Sequence, residues 1–278
     1  MKVSIKLISL LLVCQTTFAQ YYYKDILAAQ QAADKEKIYR TNGVKSVELS
    51  SKDGNDQAED GFVCEQHVVN NFMTIITYSK SKFTPESFQT TLYNERGLLK
   101  RTIDTSKSYS TSTDYQFDDD GRLINLINTS IQTDNQLKDV EEHRWQYDKN
   151  GKPFEMMKIK NGNDTTFFHF VIDEKGNVAE ERSVHNKIDM PTVFYYYNTN
   201  SQLTDIVRYN AAAKRLLPDF IFTYDDKGVL TSMIVVPEGS SDYQKWVYKY
   251  NDKGLKLEEM CFNKRTEMLG KIIYHYNF

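Results

Sequence analysis

The groups in this chain that carry acid–base, nucleophilic or metal chemistry are five histidines, three cysteines and 38 carboxylates. His67, His143, His169, His185 and His275 have no partner at H-E-x-x-H or H-x-H spacing, so no metal site is predicted. His143, His169 and His275 fall in alternating apolar segments and read as ordinary sheet-surface residues. There is no Gly-x-Ser-x-Gly elbow, no Cys–His pairing signal and no phosphate-binding glycine loop, so no catalytic residue and no cofactor are implied. Asp118-Asp119-Asp120-Gly121 looks like a calcium loop but lacks the spacing and the terminal Glu ligand. One enzymatic alternative stays open. A glycosidase-like carboxylate pair is assembled in space rather than in sequence, and would make the chain a carbohydrate-active hydrolase. The stronger lead is aromatic. Phe167, His169 and Val171, then Phe194 and Tyr196, put large side chains on both faces of mid-chain strands. Exposed aromatics on a rigid sheet stack on sugar rings or anchor a partner's side chains. Phe167, His169, Phe194 and Tyr196 are therefore the expected ligand-binding residues.

The elements that must hold these residues are announced by a recurring phrase: an aromatic, Asp or Asn, two residues, Gly, one residue, and an aliphatic. It occurs at Tyr93-Asn94 with Gly97, Phe117-Asp118 with Gly121, Tyr147-Asp148 with Gly151 and Ile172-Asp173 with Gly176. It returns at Tyr224-Asp225 with Gly228 and Tyr250-Asn251 with Gly254, while the copy at Tyr197-Asn198 has Ser201 in the glycine position. A further copy is expected at Tyr39 to Gly43. Copies start about 24 to 30 residues apart, the range of a supersecondary repeat.

Before each turn the large residues alternate, as in Trp246, Tyr248, Tyr250 and Phe220, Phe222, Tyr224, which is the period of a strand with one shared face. Asp or Asn opens the turn by bonding backbone two residues on. Gly supplies positive φ. Leu99, Leu123, Val178, Leu203 or Leu230 then starts a second, inward-facing strand. Asn161-Gly162 and the segment 237–240 read as turns between units. The predicted fold is all-β: tandem antiparallel hairpins in one long curved meander of about fifteen strands, rolled into an open half-pipe, a spiral or a barrel.

Residues 1–19 read as a secretory signal peptide: Lys2 and Lys6, a short apolar run, and Thr17-Phe18-Ala19 before the cut. Cys14 raises lipidation, but Val13 before it fits such a site poorly. No stretch approaches transmembrane length. Losing Lys2 and Lys6 takes the formal charge from −3 to −5, which with no basic block argues against nucleic acid as the main partner. Cys64 and Cys261 read as buried thiols, although closure of the sheet would let them meet. Residues 20–38 form a lead segment whose alanines (Ala28, Ala29, Ala32, Ala33) predict a short helix covering an open end or edge of the sheet. Residues 39–278 form one domain.

The phrase as it stands in Phe222 to Leu230 and Trp246 to Gly254 resembles the YD repeats of the RHS and teneurin class, from about Tyr93 to Phe278. The chain is also similar to small exported β-repeat proteins of gut-type bacteria. The resemblance implies spiralling hairpins and is nearly silent about activity. The chain is too short to enclose a toxin as RHS shells do. The expectation is an exported, non-catalytic binding module of the periplasm or cell surface, with a glycan or a cell-envelope protein as partner, or else a structural part of an envelope complex.

Overall fold

The computed structural model describes residues 21–278, apart from 212, 238, 239 and 241. The expected signal peptide and Cys14 lie outside the described residues. One helix, α1 (Lys24–Asn42), precedes nineteen strands. The first run is β1 (Ser46–Asp53), β2 (Val63–Val69), β3 (Thr74–Lys80), β4 (Ser87–Tyr93), β5 (Leu99–Ser106) and β6 (Tyr109–Phe117). Next come β7 (Leu123–Gln132), β8 (Lys138–Tyr147), β9 (Pro153–Lys160), β10 (Asp164–Ile172), β11 (Val178–His185) and the two-residue β12 (Ile188–Asp189). The last run is β13 (Val193–Tyr197), β14 (Leu203–Asn210), β15 (Arg215–Tyr224), β16 (Leu230–Val235), β17 (Gln244–Tyr250), β18 (Lys256–Asn263) and β19 (Met268–Asn277).

Apart from β12 and β13, each strand pairs antiparallel with the next, and β1 pairs with β19, so the sheet closes on itself. β12 hangs on β11 alone while β13 also pairs with β11, which leaves an 18-strand ring. The half-pipe expected as one option is thus replaced by a closed barrel. Closure leaves no long unpaired edge in the ring.

The repeat phrase is the device that bends the sheet. A register shift falls at every copy, between the aromatic and the residue before it: Leu92/Tyr93, Gln116/Phe117, Gln146/Tyr147, Val171/Ile172, Tyr196/Tyr197, Thr223/Tyr224 and Lys249/Tyr250. A bulge bends its strand and increases the local twist. Repeated at one end of successive hairpins, bulges curl the meander in one sense.

The turns obey the chemistry read from sequence. Oδ1 of Asn94, Asp148, Asp173, Asn198, Asp225 and Asn251 accepts N–H bonds from two and four residues on, at 2.8–3.0 Å. The glycines that follow have φ between +75° and +86°, and Ser201 holds the same left-handed position at +59°. The carboxylate of Asp118, at the head of the calcium-like run, is spent on the turn: it accepts from Arg122 N–H at 2.9 Å and Arg122 Nε at 2.6 Å.

The repeat tyrosine has a second task that the sequence did not announce. The hydroxyls of Tyr147, Tyr197, Tyr224 and Tyr276 donate at 2.8 Å to the carbonyls of Leu123, Val178, Leu203 and Lys256. Each acceptor is the first residue of an earlier strand leaving a turn, so the hydroxyls stitch unit to unit.

Two expectations are corrected. The stretch Tyr39 to Gly43 is not a repeat but the end of α1, where Gly43, at φ +66°, caps the helix by donating to Arg40 O. Of the two places expected for the helix, an open end or an edge, closure removes the edge. One face of α1 packs on inward-facing residues on opposite arcs of the ring, while Lys24, Ala28, Gln31, Asp34 and Lys37 on its other side are exposed, and Glu36 and Asn42 reach the repeat turns at Gly97 and Lys253. At its start, Tyr22 packs with Trp145, Met156, Phe168, Phe170, Tyr195 and Ile206. At its end, Tyr39 packs with Val47, Leu49, Cys64, Ile75 and Ile272.

Candidate functional site

The four expected ligand-binding residues all point outward, away from the helix. Antiparallel register sets them in two rows across the strands. Gln146, Glu155, His169 and Arg182 stand side by side on β8, β9, β10 and β11. One step along the strands, Arg144, Met157, Phe167, Val184 and Asp189 form the parallel row. Phe167 is 59% exposed although it lies mid-strand. The two rows apart from Arg144, with Met190 and Thr192 after β12, line a groove of about 600 Å³. Phe167 and His169 belong to it. Phe194 and Tyr196 do not: they lie on β13, facing Glu180 of β11 and Val207 and Asp205 of β14. Tyr196 is exposed and Phe194 half-buried.

The groove's polar groups are free to bind. Among the described residues, Gln146, Glu155, His169 and Asp189 have no side-chain hydrogen bond, whereas Arg182 is held by Glu180 at 2.6 Å. The floor therefore offers an amide, two carboxylates and an imidazole beside an exposed phenyl ring. β12 forms the groove's far lip. It turns back on β11 through Asn186 and Lys187, both left-handed at φ +49° and +66°, and Met190 N–H donates to Ser183 O.

A second set of functional groups lies inside the barrel, and sequence reasoning missed it. His143 is not a sheet-surface residue. It is 4% exposed, with Nδ1 at 2.6 Å from Asp25 Oδ2 of α1 and Nε2 at 3.0 Å from Glu141 Oε1. Burial acts to push its pKa down, but the two carboxylates outweigh burial and raise it to about 9. His143 is an imidazolium bridging two acids, with both ring nitrogens engaged and neither left to act as a base. Nearby, the Glu181 carboxylate, 2% exposed, accepts the backbone N–H groups of Tyr22 (2.9 and 3.0 Å) and Tyr23 (3.0 Å) and the Tyr195 hydroxyl (2.7 Å). Burial raises its pKa, against the pull of those donors. It stands at the helix N-terminus, where a negative charge is favoured. The only sequence signal was the offset of His143 and Glu181, which puts both on the inward face of their strands.

Cys64 and Cys261 are buried thiols, three strands apart across the closing pair, and burial raises their pKa to about 11 and about 12. Among the described residues no His, Cys, Asp and Glu cluster could hold a metal, and no helix is long and apolar enough to cross a membrane.

No protein-family model and no curated protein sequence matches the chain. Solved structures do. A porin-like protein from Bacteroides uniformis is similar with a TM-score of 0.40 and 9% identity, over 84% of this chain and 98% of that one. The Photorhabdus luminescens Tc holotoxin pore (TM-score 0.35, 12% identity) and a TcdB2–TccC3 structure (TM-score 0.36, 12% identity) match 78% and 80% of this chain. This chain spans only 12% and 13% of those toxin chains. At such scores the likeness carries no argument, and the chain stands on its own geometry as an all-β antiparallel barrel with one helix.

Proposed function

We propose that this protein is an exported, non-catalytic binding module that holds a cell-envelope glycan on the outer face of β8 to β12. The observation that carries the reading is the exposed Phe167 ring beside the unpaired Gln146, Glu155 and His169 in one groove. A sugar ring offers an apolar C–H face to a phenyl group and hydroxyls to amide, carboxylate and imidazole. The outer wall supports a protein bathed in water rather than lipid. Ion pairs cross it between neighbouring strands, as in Arg101–Asp114 (3.2 Å) and Lys249–Glu258 (2.8 Å), where a membrane barrel carries an apolar band.

The test is binding of the mature protein to immobilised envelope glycans, followed by titration of each hit. Phe167→Ala and His169→Ala should each weaken binding about tenfold with an unchanged melting temperature, consistent with loss of one stacked ring or one hydrogen bond. Tyr196→Ala, outside the groove, should bind within about twofold of wild type. Equal binding by wild type and Phe167→Ala would sink the proposal.

A further inference from the structure

The inner wall of the barrel is not uniform. On β3 to β7 the inward positions beyond the helix are Thr77, Gln89, Asp104, Thr111, Asn128 and Ser130, half-buried rather than sealed. Across the ring the inward positions of β13 to β18 are Tyr195, Ile206, Phe220, Val235, Trp246 and Cys261, closely packed. Polar side chains inside a barrel call for water or a polar ligand, because nothing apolar is gained by burying them.

These groups form a graded hydrogen-bonding surface. Thr111 and Ser130 hydroxyls meet at 2.9 Å, and Asn128 Nδ2 donates to Thr113 Oγ1 at 2.8 Å, so each pair keeps further donor or acceptor capacity. The Asp104 carboxylate has only the Ser87 hydroxyl, at 3.3 Å, and its pKa is raised by burial. At the edge of the same arc, Ser108, Tyr109, Ser130, Gln132, Leu137 and Asp139 line a pocket of about 360 Å³. Ser130 belongs to both the pocket and the wall. Tyr109 presents its ring, 47% exposed, at the rim.

We propose that this polar arc and its rim pocket form a second ligand site, separate from the outer groove, for a short neutral polyhydroxylated ligand of the oligosaccharide class. Hydroxyls, amides and carboxylate oxygens match a ligand rich in O–H groups. Asp104 and Asp139 disfavour anions. The Tyr109 ring provides a stacking platform at the entrance, and Leu137 is the one aliphatic side chain lining the pocket, too little to hold a lipid tail.

The experiment titrates the mature full chain with maltohexaose, cellohexaose and chitohexaose by calorimetry, using heparin hexasaccharide as the anionic control. At least one neutral sugar should bind. Tyr109→Ala and Asp139→Asn should each weaken it tenfold or more, and Phe167→Ala should leave it within twofold. A Ser130→Cys variant reports on access directly: a small methanethiosulfonate should label the introduced thiol while buried Cys64 and Cys261 stay unmodified, and the bound sugar should slow the labelling. Heat from none of the neutral sugars, binding unchanged in Tyr109→Ala, tighter binding of heparin, or no labelling of the Ser130→Cys variant each overturns the proposal. Loss on Phe167→Ala alone assigns the sugar to the outer groove and also overturns the inner site, leaving the outer reading intact.

Discussion

The two arcs of the inner wall use one backbone plan for opposite ends. Both are built from the same hairpins and bulges, yet the arc from β8 to β18 is sealed by Trp145, Met156, Phe168, Phe170, Tyr195, Ile206 and Trp246, while that around Asn128 on β3 to β7 stays polar and half-open beyond the helix. The repeat phrase sets strand, turn and bend alike in every unit. What an arc does is decided by the inward residues between phrases. The difference teaches that the repeat is a frame, and that stability and binding are divided between sectors of one ring.

Mutations in the two arcs break or sharpen that comparison. The largest effect belongs to the sealed arc. Phe168→Ala removes a ring that is 5% exposed and packed on Tyr22 at 4.4 Å between centroids. Its cost is about 3–5 kcal/mol, read from denaturant unfolding; a loss below about 1 kcal/mol would mean that the arc is not a packed core.

Next is the helix contact. His143→Ala leaves Asp25 buried without its cationic partner and should cost about 3 kcal/mol. The pH dependence gives the sign. The His143 pKa is raised from 6.5 to about 9 by its two acids, so its stabilisation is complete below about pH 6.5 and fades as pH rises through 9. Glu181, raised by burial from 4.5, has the same sign but begins to act as pH rises above 4.5. Wild-type stability should therefore fall between pH 6.5 and 10, and His143→Asn should flatten that fall. Identical slopes for the two proteins would show that the imidazolium does not hold the helix.

Tyr147→Phe comes third, at about 1–2 kcal/mol, because the Leu123 carbonyl loses its donor. Phe117, a repeat aromatic without a hydroxyl, offers the internal control: Phe117→Tyr should not lower stability by as much. The smallest effect is expected in the open arc. Thr113→Val leaves Asn128 without its acceptor, but in a solvated wall this should shift stability by under about 0.5 kcal/mol. A loss near that of Phe168→Ala would make the two arcs equivalent and erase the contrast.

The sequence made the strands and turns legible because they depend on neighbours. Period two named the shared face of Trp246, Tyr248 and Tyr250, and Asp225 with Gly228 spelled out a turn that the structure repeats bond for bond. Closure was not legible. It is the pairing of β1 with β19, the two ends of the sheet, and the bulges that bend the strands between them are single skipped pairings with no residue type of their own. The helix was visible from its alanines, but not its place. Its buried face carries Asp25 and Glu36, which read as solvent residues until His143 and Arg40 are seen beside them. For the outer site, Phe167 and His169 were legible as large residues at polar-face positions. Their separation from Phe194 and Tyr196 arises from β12, a two-residue strand too short to leave a pattern.

The pairing of β1 with β19 also has a consequence in time. Asn277 bonds Ser46 across 231 residues of chain, and Val47 and Leu49 wait for the same late partner. Neighbouring hairpins form within about microseconds, whereas a contact of this span pays the loop entropy of the whole sheet first. Until the seam shuts, the curled sheet has two raw edges and an aromatic interior open to water. The seam is therefore expected to close last, which makes its edges the point of greatest exposure to aggregation during folding.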